Sequence, residues 1–360
     1  MRKAAGAMKG ARKSWSNCSE QRRSLIVHSA QACFLNCRRC RQAIRYRQDK
    51  CPFLYRGGPM GSFPRIIGGI GAFVLAGITL GAAPSPAQAM PRLARAVTAV
   101  PCDPDALVTA IRTANGAGVG TLLLSPICVY NYVAAAAPGD ALPIITGDIT
   151  LVGGLNTTIR RDPTTPNAFR VLEVASGATL RVRRISIVGG STTNFGGGIL
   201  NAGTVVLDHT VLAGNQASNG GAFANYAGAN ATISHSVLNE NSAGSVGGGA
   251  IINFGTLTMS NSILNKNTAP INGGGLNTQP NGVSHLIQSI VVNNTSGSLG
   301  GGTSNLGTTD LEGLVVTGNK GSGGGGIATG NADVSIRKSI VDNNVPDNCS
   351  PLNTIQGCVD

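Results

Sequence analysis

Six asparagines, Asn215, Asn241, Asn267, Asn294, Asn319 and Asn344, recur at spacings of 26, 26, 27, 25 and 25 residues. Each follows an aliphatic pair and two variable residues; the pairs are Val211-Leu212, Val237-Leu238, Ile263-Leu264, Ile290-Val291, Val315-Val316 and Ile340-Val341. A seventh copy, Ile187-Val188, lacks the Asn. A period in this range marks a stacked architecture, because one such unit cannot bury its own apolar face alone.

Within each unit the pattern alternates. Val205, Leu207, His209 and Val211, and again Leu257, Met259, Asn261 and Ile263, read as strand with one buried face. The position two before the aliphatic pair is polar in most units, which implies a bend there. The position immediately before the pair carries a hydroxyl row: Thr210, Ser236, Ser262, Ser289 and Ser339. Glycine clusters such as Gly247–Gly249 and Gly273–Gly275 follow, where backbones need to approach closely. A second polar row, Asn201, Asn225, Asn253 and Asn305, has Asn277 two positions out of register.

An Asn amide carries donors and an acceptor, and it tolerates left-handed turn geometry. Stacked at about 4.8 Å, each amide can bond the next and satisfy polar groups at a buried corner. The expected fold is therefore all-β, a right-handed parallel β-helix of about seven coils over residues 136–348, some 30–35 Å long. Leucine-rich repeats have a similar period, but no Leu-x-x-Leu-x-Leu framework is present. Residues 102–135 read as an N-terminal cap with a helix running from Ala106 to Asn115, capped by Asp103 or Asp105 and followed by Gly116. Such a cap covers an otherwise exposed apolar end.

Charge divides the chain. Residues 1–89 hold 15 Lys/Arg and 2 Asp/Glu, while residues 90–360 hold 13 and 14, so the net +12 belongs to the first part. The body carries no basic excess, and a nucleic-acid partner is not expected. Residues 66–83 form an uncharged apolar run after Arg65, leading to Ala87-Gln88-Ala89. That is the layout of a signal peptide over residues 60–89, followed by a linker over 90–101; a retained anchor in 66–83 is the alternative and the one expected membrane contact. Met60 is a candidate start, which makes the basic extension 1–59 a doubtful part of the chain. Cys33, Cys37 and Cys40 resemble the cluster motif of radical-SAM enzymes, but no α/β chain surrounds them, and no cofactor is expected. Cys102, Cys128, Cys349 and Cys358 flank the coils, and local pairing of each end is expected in an oxidising compartment, with 349–360 a disulfide-closed tail.

Leu107 to Asn115 (LVTAIRTAN), with Tyr130 or Tyr132 downstream, resembles the N-terminal cap of secreted bacterial β-helix proteins. The coils, with Gly-Gly-Gly-x-x-Asn and residues 255–267 (GTLTMSNSILNKN), resemble the polymorphic outer-membrane protein repeats of adhesins with a pectin-lyase-like fold. The resemblance covers about residues 102–345. It implies a secreted or surface protein, monomeric, acting in binding or adhesion to polysaccharide or cell-envelope glycan. It also keeps a polysaccharide lyase, or another carbohydrate-active enzyme of that fold, as the rival.

Hydrolysis of glycosides needs two carboxylates roughly 5–10 Å apart. In the coil register Asp208 and Glu312 are four coils apart, Asp310 and Asp333 are out of step, and Glu312 faces Arg337 as a surface ion pair. No acidic cluster emerges, so no catalytic residue is expected. Of the arginines near the first coils, Arg181, Arg183 and Arg184 are candidates for a patch that binds an acidic glycan, with a solvated face as the plainer reading. His209 and His235 share one position in adjacent coils; a polar ladder is expected there and no metal.

Overall fold

A computed structural model describes residues 96–360, except 155, 331, 332, 353, 354, 359 and 360. The basic extension, the expected signal peptide over residues 60–89 and Cys33, Cys37 and Cys40 lie outside the described residues. No helix among the described residues is long and apolar enough to cross a membrane.

The chain folds as a parallel β-solenoid. Its strands sort into a ten-stranded, a nine-stranded, an eight-stranded and a short four-stranded sheet, each joining equivalent strands of successive coils. One coil shows the plan: Thr204–Asp208 lies in the ten-stranded sheet, Val211–Ala213 in the nine-stranded, Gln216–Ala217 in the four-stranded and Phe223–Asn225 in the eight-stranded. The stack has about ten rungs rather than about seven, which at strand spacing is roughly 43 Å deep. The additional rungs begin at Val97–Val100, Val119–Leu124 and Asp148–Val152. Their spacing hides them, since Thr121 pairs with Thr150 and Thr150 with Arg181, steps of 29 and 31 residues.

Two left-handed corners set the side-chain parity. His209, His235, Asn261, Gln288 and Lys338 have φ between 48° and 53°, at the bend expected from the polar position. A second corner falls at Glu240, Lys266, Asn293 and Asn343, with φ of 53° to 57°. The first bend shifts the alternation by one residue. Thr210, Ser236, Ser262 and Ser289 then face inward, and the core residue of each pair is its second member: Leu212, Leu238, Leu264, Val291 and Val316 are fully buried. The first member is turned outward, and Ile340 is 58% exposed. The left-handed geometry belongs to the residue before each periodic Asn and not to the Asn itself.

The periodic asparagines are buried and bonded to one another. Asn241 Nδ2 donates to Asn267 Oδ1 at 2.9 Å and to Leu212 O at 3.0 Å, and its Oδ1 accepts from Asn215 N and Nδ2, each at 3.0 Å. The same set repeats through Asn344. At the head, Gly190 N donates to Asn215 Oδ1; at the tail, Asn344 donates to Asn348 Oδ1. The hydroxyl row forms a second ladder, in which Ser236 Oγ accepts from Thr210 N and Ser262 Oγ from Ser236 N.

A helix, Pro104–Ala117, covers the apolar end with Leu107, Val108, Ile111 and Ala114. Asp103 caps its start and Gly118, at φ 73°, ends it, two residues beyond the expected Gly116. Cys102 is bonded to Cys128 and Cys349 to Cys358, so both ends of the stack are closed covalently. Such bonds persist in oxidising compartments, in keeping with an extracytoplasmic location.

Candidate functional site

The eight-stranded sheet presents one outward residue per rung. Register makes that row Glu173, Leu200, Ala224, Ile252, Asn277, Ser304 and Ala328. An outward row on a solenoid is normally solvated, yet all of these residues but the part-exposed Glu173 are covered. Leu200, Ala224 and Ile252 form an apolar cluster separate from the core, with Phe195, Tyr226 and Phe254 packed against it. The three rings meet edge to face at 5.7, 5.9 and 6.5 Å between centroids, the geometry that ring quadrupoles favour. All three remain half-exposed. The Tyr226 hydroxyl makes no hydrogen bond among the described residues; burial raises its pKa, with Arg170 opposing and Glu173 adding to the shift.

At one end of this strip stands a charged group that reading the coil register missed. Arg170 Nη1 donates to Asp140 at 2.8 Å and to Glu173 at 2.6 Å, and its Nε donates to the carbonyl oxygens of Phe195 and Gly196. Both carboxylates share one nitrogen, so their bonded oxygens are closer together than the sum of those contacts. That lies within the roughly 5–5.5 Å of a paired-carboxylate site. The expectation that no acidic pair exists is therefore corrected. Asp140 precedes the regular coils, and its rung is fixed by a bridge to Arg170 that the period does not reveal.

Asp140 is 1% exposed and its Oδ2 has no donor. Burial pushes its carboxyl from the usual 3.8 up to about 6, partly offset by Arg170 and reinforced by Glu173. A proton on Asp140 then has Glu173 as its acceptor. Because the folded value is raised, this group's contribution to stability is complete below about 3.8 and is lost as pH climbs through about 6. Asp140→Asn, which keeps an acceptor for Arg170, is expected to flatten that decline; urea midpoints from pH 4 to 7 measure it. An unchanged slope would assign the decline to other groups.

Beyond the rings the strip becomes polar. Asn277 takes the floor position, one residue from the inner ladder, where Thr278 pairs with Asn253 and Asn305. The expected offset of two is thus one, and it turns the amide outward. Neither Asn277 Oδ1 nor Nδ2 has a partner, and Asn272 Oδ1 and Gln279 Nε2 also lack one. Asn277 lies beneath Gly247, where a Cβ would come within 2.5 Å of Nδ2. Buried amides without partners cost about 1–3 kcal/mol each.

The arginine candidates sit elsewhere. Arg181 points outward from the ten-stranded sheet and is ion-paired with Asp148. Arg183 is exposed on the same strand, and Arg184 occupies a left-handed corner at φ 55°. Arg160 and Arg161 extend from the nine-stranded sheet to Asn131 Oδ1 and to the carbonyls of Thr165 and Asn167, so the basic cluster of the sequence is spread over several faces. Glu312 is met by Lys338 at 3.3 Å, although Arg337 is its register neighbour. His209 and His235 stack at 4.8 Å with Asp208 bonded to both. Burial alone would raise the Asp208 pKa, but bonds from His209, His235 and Ser234 hold it below the usual carboxylate range. A hollow of about 530 Å³ under the capping helix is lined largely by alanines and a second of about 330 Å³ by Arg160, Arg161 and glycines; neither includes the strip.

Compared with known proteins, the chain matches no family model, no curated protein and no solved structure.

Proposed function

We propose that this is an exported binding protein whose eight-stranded sheet holds a glycan across the part-exposed rings Phe195, Tyr226 and Phe254, beside Glu173. The observation that carries this reading is the trio of half-exposed rings, Phe195, Tyr226 and Phe254, set outside the core with the part-exposed Glu173 carboxylate at one end of their strip. A sugar ring has an apolar face of C–H bonds and a rim of hydroxyls. Rings that stack on the face, with the part-exposed Glu173 carboxylate to meet the rim, match it on both counts. The export-signal layout, the two disulfides and the resemblance to adhesin-type, pectin-lyase-like repeats support an extracytoplasmic binding role. Attachment to cell-envelope polysaccharide follows from that placement as the expected context.

Tyr226→Ala is expected to weaken glycan binding about tenfold, a loss of roughly 1.4 kcal/mol. A glycan array followed by calorimetry on the best binder measures it, and Phe254→Ala tests the neighbouring ring. Retention unchanged in both variants would remove the strip as the binding face.

A second reading is glycan cleavage, favoured by the Asp140–Glu173 pair. It predicts new reducing ends that disappear in Glu173→Gln. The Arg170 bridge argues against it, because it holds both carboxylates and leaves Asp140 buried.

A further inference from the structure

We propose that Asp208, His209 and His235 form a surface site for a divalent transition-metal ion of the zinc class, independent of the glycan strip. Asp208 ends one strand of the ten-stranded sheet, His209 is the corner that follows, and His235 is the same corner one rung on. Their candidate ligand atoms all lie within 4.8 Å of one another. Nδ1 of His209 is 2.9 Å from Asp208 Oδ1 and Nδ1 of His235 is 3.3 Å from the same oxygen. Ligands of a tetrahedral ion with bonds of about 2.0–2.1 Å stand about 3.3 Å apart, so the two nitrogen–oxygen contacts need adjustments of a few tenths of an ångström.

The scaffold preorganises the set. Both histidines hold the left-handed corner common to this row, at φ 53° and 49°, which fixes their backbones one rung apart. Their rings are stacked, 16° apart in plane, one rung from each other, and a rotation of one side chain brings both nitrogens to face a single ion. Ser234 Oγ donates to Asp208 Oδ1 at 3.2 Å, a supporting bond of the kind that orients a ligating carboxylate. Arg183 is the register neighbour of Asp208 and Arg184 precedes that corner row, yet neither makes an ion pair with it among the described residues. The carboxylate is turned to the imidazoles.

Two imidazoles and one carboxylate select zinc, nickel, copper or cobalt over magnesium and calcium, which prefer all-oxygen shells. The histidine side chains are 57% and 50% exposed, so the remaining coordination positions open to solvent. His285 pairs with Asp310 at 3.0 Å but has no second imidazole beside it, which makes it an internal control.

The test is calorimetric titration of zinc chloride into the chelator-treated full chain, with free thiols alkylated so that Cys18, Cys33, Cys37, Cys40 and Cys51 do not compete. One equivalent is expected to bind, at least tenfold more weakly in His209→Asn and in His235→Asn, and unchanged in His285→Asn. Asn is a fold-compatible replacement because Asn261 occupies the same corner at φ 48°. Absence of saturable binding, or affinity unaltered in the double variant His209→Asn/His235→Asn, would overturn the site.

Discussion

Asn267→Ala is expected to lower the free energy of unfolding by about 3–5 kcal/mol, a large share of what a domain possesses. The side chain is fully buried and serves three neighbours at once. Its Oδ1 accepts from the backbone and side-chain nitrogens of Asn241, and its Nδ2 donates to Leu238 O and to Asn294 Oδ1. Removing it leaves the Asn241 N–H dry and unpaired and takes the side-chain donor from the Leu238 carbonyl. Asn267→Asp is expected to cost more still, although it has the same shape. A carboxylate can accept but not donate, so Leu238 O and Asn294 Oδ1 would each face another oxygen, with a buried charge added. Urea unfolding of the two variants beside the parent measures both. A cost below 1 kcal/mol for the alanine variant would mean that the corner is wet and the ladder dispensable.

Gly274→Ala carries the second large expectation, a loss of about 3 kcal/mol or more. Its cause is space and not conformation. A Cβ at Gly274 would lie 2.5 Å from the carbonyl oxygens of both Gly301 and Thr295. Gly221, Gly249 and Gly301 meet their neighbours the same way, at 2.2–2.5 Å from backbone oxygens. Along this seam the glycine turn rests directly on the backbone of the short four-stranded sheet, with no side chain between them that could yield. Overpacking a core costs about 1–3 kcal/mol when side chains can shift, and here only rungs can. Gly214→Ala is the contrasting case. It has φ 61° but nothing within 4 Å, and the same corner holds Glu240 and Lys266 in later rungs. About 1 kcal/mol is expected there. Equal melting losses for the two variants would show that backbone conformation, and not the seam, decides.

The period made the regular coils legible because every rung from Arg181 onward repeats within 25 to 27 residues. The earliest rungs escaped it for a physical reason. Their connections carry the capping helix and longer loops, and their corners lack the Asn that marks the others. Side-chain parity was misread at the aliphatic pair, since a left-handed residue passes through a bend without completing an alternation. His209 and Asn261 hold that geometry, and the sequence shows only that they are polar. The aromatic strip was invisible for a different reason. Phe195, Tyr226 and Phe254 occupy two different turn positions, one before the strand and two after it, so no single register aligns them. Asp140 and Glu173 meet only because Arg170 stands between them, a contact set by loops outside the repeat.

The asparagine ladder has a direction, and each member receives from the preceding rung what it gives to the following one. Gly190 begins the chain of bonds with a backbone N–H, and Asn348 ends it with a side-chain oxygen. A unit that presents the same two faces to any neighbour of its kind can be copied or deleted without redesign of either junction. Gene-level duplication of some twenty-five codons would lengthen the stack and leave both terminators in place. Reach is therefore the property of this molecule that inheritance can adjust most cheaply.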